Sequence, residues 1–175
     1  KEKKLQPLKR IDFLVTSHDS KKYRSLSSRI STVCQGTILA REWVSLPPND
    51  KKPELFAQSI ERFAKKENLK VIALGEKELK QKKLGALLAV AAGSSNKPRM
   101  VILEHNPVKA KKTIAFVGKG VTFDSGGINL KPSASLADMK MDMSGAAAVA
   151  ATLITAARLK LRLKLVGIIP IVENM

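Results

Sequence analysis

Apolar and polar residues alternate along this chain with two periods, and the switches between them mark out the elements. Ile11–Thr16 (IDFLVT) alternates weakly and predicts a strand, which His18-Asp19-Ser20 breaks. Tyr23–Ser45 predicts a helix with an apolar stripe of Ile30, Val33, Ile38, Leu39 and Val44, weakened by Gly36 and several Ser and Thr. Pro47-Pro48-Asn49-Asp50 ends it in a loop and is the candidate domain boundary. Pro53 suits the first turn of a second helix, with Asp50 or Lys51 near its cap. That helix runs to about Asn68 and buries Leu55, Phe56, Ile60 and Phe63.

Val71–Leu74 predicts a short buried strand, and Glu76–Gln81 a charged helix or turn. Leu84–Ala92 is apolar throughout and fits helix or strand equally. Met100–Leu103 and Thr113–Val117 read as central strands, joined through a polar turn at His105–Lys112 that suits a hairpin. Gly145–Leu161 predicts a helix rich in Ala, whose small side chains allow close packing on a sheet. Leu165–Ile169 follows as a strand, with Pro170 marking its end. Strands alternating with helices predict an α/β layered fold, its mixed and mostly parallel sheet flanked by helices and preceded by a linker helix.

Composition narrows the class. The apolar content of 44% supports a sizeable core, and the scarcity of aromatics makes that core aliphatic. The lone Cys34 can form no internal disulfide and has no metal-finger spacing. It predicts a reduced, cytoplasmic setting and a small buried thiol. The formal net charge of +17 leaves a nucleic-acid partner open. However, the lysines come in scattered pairs with no interleaved aromatics, which favours an ordinary lysine-rich surface. The basic, polar first residues do not resemble a secretory leader. The longest low-polarity run, Gly145–Ala157, suits a buried helix rather than a membrane span. With no initiating Met and an apolar strand just before Met175, both ends look cut.

The chemistry concentrates in Val117–Gly145, VGKGVTFDSGGINLKPSASLADMKMDMSG, between a strand and a helix. Asp124 precedes Ser125-Gly126-Gly127, and such a turn can bring its carboxylate against a bound group. Alone, it reads as a turn former or as a ligand for a divalent cation. Asp138 and Asp142 are four apart and share one face if Leu136–Met143 is helical. Lys119 sits between two glycines, which suggests a side chain in a cramped site, where burial or a neighbouring cation favours the neutral amine. Lys131 precedes Pro132, so its backbone is extended. It reads as a surface lysine or as a positive head over a reacting carbonyl oxygen. There is no H-E-x-x-H, no G-x-S-x-G and no P-loop, and neither His18 nor His105 has a partner at ligand spacing.

GKGVTFDSGGINLKP followed by DMKMDMSG resembles the central motif of the leucyl aminopeptidase family, the two-metal cytosol aminopeptidases. LAREWVSLPPND and IIPIVENM extend the resemblance over about 38–175. It implies that Lys119, Asp124 and Asp142 ligate two divalent ions, with Asp124 bridging them and Asp142 sharing an ion with Lys119. Lys131 would polarise the scissile carbonyl, and Met139 would line the pocket for the substrate's first side chain. Substrate contacts would come from Lys119, Asp124, Lys131, Met139 and Asp142. Asp138 matches the motif without being a ligand. The ions would be Mn or Zn, with Mg or Co also suitable, the substrates peptides with a free amino terminus, and the full-length assembly a homo-hexamer.

In domain terms, 1–20 would end an N-terminal domain, 21–46 would be the linker helix, and 47–175 the first half of the catalytic domain. The family's N-T-D-A-E-G-R segment, which supplies a further Asp, Glu and Arg, is not among these residues. The fragment alone is therefore expected to be nearly inactive. The alternative is a non-catalytic remnant acting as a basic, possible DNA-binding module.

Overall fold

The structure, a computed structural model, describes residues 8–107 and 112–175. Helix α1 spans Ser20–Ser45, and a short 3-10 turn at Pro48–Lys51 leads into α2, Pro53–Lys66. Strand β1 (Lys70–Leu74) is followed by α3 (Glu76–Gln81) and α4 (Gly85–Val90), then by β2 (Arg99–His105), β3 (Thr113–Val117) and β4 (Gly120–Asp124). A single turn, α5 (Ser133–Leu136), runs into a 3-10 segment at Ala137–Met141. Helix α6 (Ser144–Arg158) and strand β5 (Lys164–Asn174) complete the chain. None of the helices is long and apolar enough to cross a membrane among the described residues.

The layered α/β class is as the pattern predicts, and the sheet is mixed. β5 is its spine: β2 pairs antiparallel on one side, with β1 antiparallel beyond it, while β3 and β4 both pair parallel on the other. Its pairings thus divide evenly rather than favouring the parallel kind. The expected hairpin does not form, because β5 lies between β2 and β3; part of its turn, 108–111, lies outside the described residues. Nor is β3 central: it is an edge strand with every residue exposed.

Helices α1, α2 and α6 cover one face. α6 is nearly all small or branched apolar residues, and it buries Ala146, Ala147, Val149, Ala150, Ala151, Leu153, Ile154 and Ala156. Gly167 of β5 lets it lie close: a Cβ there would stand 3.0 Å from Val149 and 3.1 Å from Leu153. α1 packs on α6 through Gly36, where a Cβ would collide with the Thr155 hydroxyl. Trp43 closes this side, edge-on to Phe56 and Phe63 at centroid distances of 5.8 and 5.6 Å, in the geometry aromatic quadrupoles favour. The opposite face carries a smaller cluster of Ala91, Val121 and Val172, with Leu87 packed against it.

Several local expectations change. Ile11–Thr16 forms no strand and is exposed. The buried stripe of α1 is Gly36, Leu39 and Trp43, whereas Ile30, Val33 and Ile38 face solvent. Helical phase is set by where the backbone can touch α6, and only Gly36 permits that contact. Cys34, two residues earlier, is exposed for the same reason. On α2, Leu55 is exposed and the inner face is Phe56, Ala57, Ile60 and Ala64. Leu84–Ala92 resolves to helix α4 with a 3-10 turn after it.

Candidate metal centre

The site begins where a ladder breaks. β3 and β4 run along the same side of β5 in one register, Val117 opposite Ile168 and Gly120 opposite Ile171. Gly118 N–H still donates to the Ile168 carbonyl at 3.0 Å. The next rung of a parallel ladder would run from residue 170 to the Gly118 carbonyl, and Pro170 has no N–H to give. Pro170 therefore does not end β5, as the sequence pattern predicts; it sits inside the strand, opposite the gap. Lys119 occupies that gap, and its carbonyl turns the other way to accept the Ala146 N–H of α6 at 2.9 Å. Gly118 and Gly145 allow this contact, since a Cβ on Gly118 would lie 2.6 Å from the Gly145 carbonyl oxygen.

The Lys119 ammonium then reaches Asp142 Oδ1 at 2.7 Å. Its side chain is 61% exposed, so the expected cramped pocket is not formed by these residues. Asp142 is mostly buried, and its second oxygen, Oδ2, is shielded from solvent with no hydrogen-bond partner. A buried carboxylate oxygen left unpaired is costly, and an arriving cation would relieve it.

At the other end of β4 a second pair forms. Asp124 Oδ1 accepts the Gly126 N–H at 2.9 Å and the Asn174 side-chain amide at 2.7 Å, and Oδ2 faces Lys131 Nζ at 3.1 Å. Burial pushes the Asp124 carboxyl up, but the Lys131 ammonium, the Asn174 amide and the Gly126 N–H together outweigh it and hold it below its ordinary value. Gly126 and Gly127 both have positive φ, 96° and 66°. They fold the loop so that Lys131 N–H donates back to the Ser125 carbonyl at 2.9 Å, which returns the Lys131 side chain to Asp124.

The sequence-predicted residues thus fall into two lysine–carboxylate pairs, Lys119–Asp142 and Lys131–Asp124. No group of three or more His, Cys, Asp and Glu suited to a metal occurs among the described residues. Met139 is half-buried and Asp138 exposed, both in the 3-10 segment. Asp138 and Asp142 do not share a helical face, because that segment is not α-helical and ends before Asp142. Sequence reasoning missed Asn174, whose signal was its place in the VENM strand end, and Lys51. Lys51 is buried at 1% exposure, donates to the Trp43 and Val44 carbonyls at 3.1 and 2.9 Å, and reaches Met143 Sδ at 3.5 Å.

Asp142, with its orphaned carboxylate oxygen, and Asp124 each offer the kind of oxygen donor that a divalent cation takes. Comparison with known proteins shows the family. The model of the cytosol aminopeptidase family, catalytic domain, matches residues 38–175. The chain is 43% identical over 175 residues to the "Probable cytosol aminopeptidase" of Corynebacterium diphtheriae, covering 100% of this chain and 35% of that protein. To the protein of the same name in Streptomyces coelicolor it is 46% identical over 155 residues, 89% of this chain and 30% of that one. Among solved structures it resembles the bottromycin maturation enzyme BotP in complex with Mn, with a TM-score of 0.83 and 40% identity over 87% of this chain and 33% of that one. It also resembles the apo leucyl aminopeptidase from Trypanosoma cruzi, with a TM-score of 0.81 and 34% identity over 85% and 29% of the two chains. The chain spans about a third of the length of the curated relatives it matches. With these residues inside the matched stretch, the chain belongs to the cytosol aminopeptidase family, its residues 38–175 matching the catalytic domain.

Proposed function

We propose that the protein carrying this chain is a metallo-aminopeptidase, releasing amino-terminal residues such as leucine from peptides by two-metal-assisted hydrolysis. Asp142 carries the reading: its Oδ2 is buried and unpartnered beside Lys119, within the family-matched residues. Lys119 and Asp142 would hold one ion, the lysine as its neutral amine, and Asp124 would be shared between that ion and a second. Manganese is the first choice, since the BotP relative is a manganese complex; oxygen and nitrogen ligands also suit Zn, Mg or Co. When bound, such ions supply Lewis acidity toward the scissile carbonyl and activate water near neutral pH.

The chain's own residues do the rest. Each carboxylate is paired with its own lysine, Asp142 with Lys119 at 2.7 Å and Asp124 with Lys131 at 3.1 Å. Lys131, one-third exposed at the loop end, can leave Asp124 and present its positive head to the carbonyl oxygen as charge develops there. Met139 would line the pocket for the first side chain. The family resemblance implies a further Asp, Glu and Arg from an N-T-D-A-E-G-R segment that is not among these 175 residues, and without them these residues alone would bind metal weakly and turn over little. A cytoplasmic homo-hexamer is the assembly this reading expects.

The test is manganese binding and hydrolysis of leucine amide by the full-length protein and its Asp142→Asn variant. The variant is expected to lose about tenfold or more in manganese affinity, and turnover with it. Manganese affinity and turnover unchanged in Asp142→Asn would overturn the proposal.

A further inference from the structure

We propose that Asn174 is a positioning residue that fixes the plane of the Asp124 carboxylate, so that one oxygen is held by the protein and the other is kept for the cation. The inference rests on the two-metal reading above and deepens it. Three observations carry it.

The first is a change of register. Along β4 the offset to β5 places Gly120 opposite Ile171 and Val121 opposite Val172, yet Asp124 stands opposite Asn174. An unbroken ladder would have put it opposite Met175. The irregularity between Val121 and Asp124 inserts one residue and re-aims the strand end, as bulges beside sites do. The second is the bonding of Asn174 itself. Its carbonyl accepts both the N–H and the hydroxyl of Ser125, at 2.9 and 3.0 Å, so its backbone is tied to the Asp124 turn. From that anchor its side-chain amide reaches Asp124 Oδ1 at 2.7 Å.

The third is the division of labour between the two oxygens. Oδ1 takes two donors from fixed positions, the Asn174 amide and the Gly126 backbone N–H. Oδ2 takes only the Lys131 ammonium, at the end of a long and partly exposed side chain. Two donors on one oxygen stop the carboxylate rotating about its last bond. The labile contact on the other oxygen is the one a cation can replace. Asparagine fits this role because it donates without carrying charge, where aspartate would repel Asp124 and leucine would leave Oδ1 with a single donor.

The test titrates manganese chloride, by calorimetry, into metal-stripped full-length wild type, Asn174→Leu and Asn174→Ser. The metal-free melting temperature of each is measured alongside. Serine keeps a polar group that is too short to reach Oδ1, and it serves if the leucine variant does not fold. Expected is a rise of about tenfold or more in the manganese dissociation constant for either variant, at a temperature where the metal-free protein is fully folded. A lowered melting temperature with an unchanged dissociation constant shows a purely structural asparagine and overturns the proposal. Wild type that takes up no manganese overturns the two-metal reading itself, and this inference with it.

Discussion

Lys51 gives the sharpest test of how the site is supported. Its ammonium is buried under the end of α1 and donates to the Trp43 and Val44 carbonyls, which lie in the last turn and have no helical partner of their own. It also touches Met143, the residue after Asp142. Burial, with the Lys140 charge as a smaller cause, lowers its pKa to about 8. Consider Lys51→Met, which keeps the length of the side chain and removes its charge and donors. A buried and a part-buried carbonyl lose their donor, at about 1–3 kcal/mol each. Against this, the cost of holding a charged amine away from water disappears. A fall from 10.5 to about 8 makes that cost about 3 kcal/mol, to order of magnitude. At pH 7 the two effects largely offset, and the variant should lie between about 1 kcal/mol more stable and about 3 kcal/mol less stable than wild type.

The pH dependence separates them. Between the folded value of about 8 and the unfolded value of 10.5, the unfolded chain holds a proton that the folded one has released. Stability therefore rises with pH in that window. The penalty is fully present below pH 8 and fades above it, while the neutral amine can still donate to the carbonyls. Wild type should gain about 2–3 kcal/mol on Lys51→Met between pH 7 and pH 10. Urea unfolding of both proteins at each pH unit measures the difference, and groups common to both cancel. Parallel stability curves would refute the argument. A difference that shrinks with pH would show instead that Lys51 is held as a cation by an acidic partner.

Two further outcomes follow from the same geometry. Lys131→Met in the full-length protein should lower kcat on leucine amide by about a hundredfold or more without weakening manganese binding, because its role is toward developing charge on the substrate. A parallel loss of metal affinity would place it among the ligands' supports instead. Gly120→Ala should destabilise by about 1–3 kcal/mol, since its Cβ would run into the Pro170 carbonyl oxygen, a backbone atom that cannot step aside. Gly85→Ala, with nothing within 4 Å of the new Cβ at the start of α4, is the control and should be neutral or slightly stabilising in thermal melts.

Much of this was legible in the residues taken in order. The 3.6-residue period of α2, the alanine-rich apolar run of α6 and the proline and glycine punctuation depend on neighbours in the chain, and they locate the helices. The Gly-Gly turn after Asp124 was legible for the same reason, because positive φ is a local demand. The run GKGVTFDSGGINLKP identified the stretch that holds the site and the family it resembles.

What the local pattern left open was decided by contacts between distant segments. Thr113–Val117 is apolar enough for a central strand, but β5 takes β2 on its other side and leaves β3 at the edge. The inner face of α1 was fixed by the meeting of Gly36 with Thr155, far along the chain, and not by its own strongest apolar stripe. Pro170 looked like a strand end because nothing nearby in sequence shows that the rung it deletes is the one opposite Lys119. Asn174 gained its role only when a one-residue register shift set it against Asp124. Turns and helices are short-range and can be read from a few residues; pairing register and the partner of a buried charge belong to the assembled sheet, where one residue of slip turns a side chain to the other face.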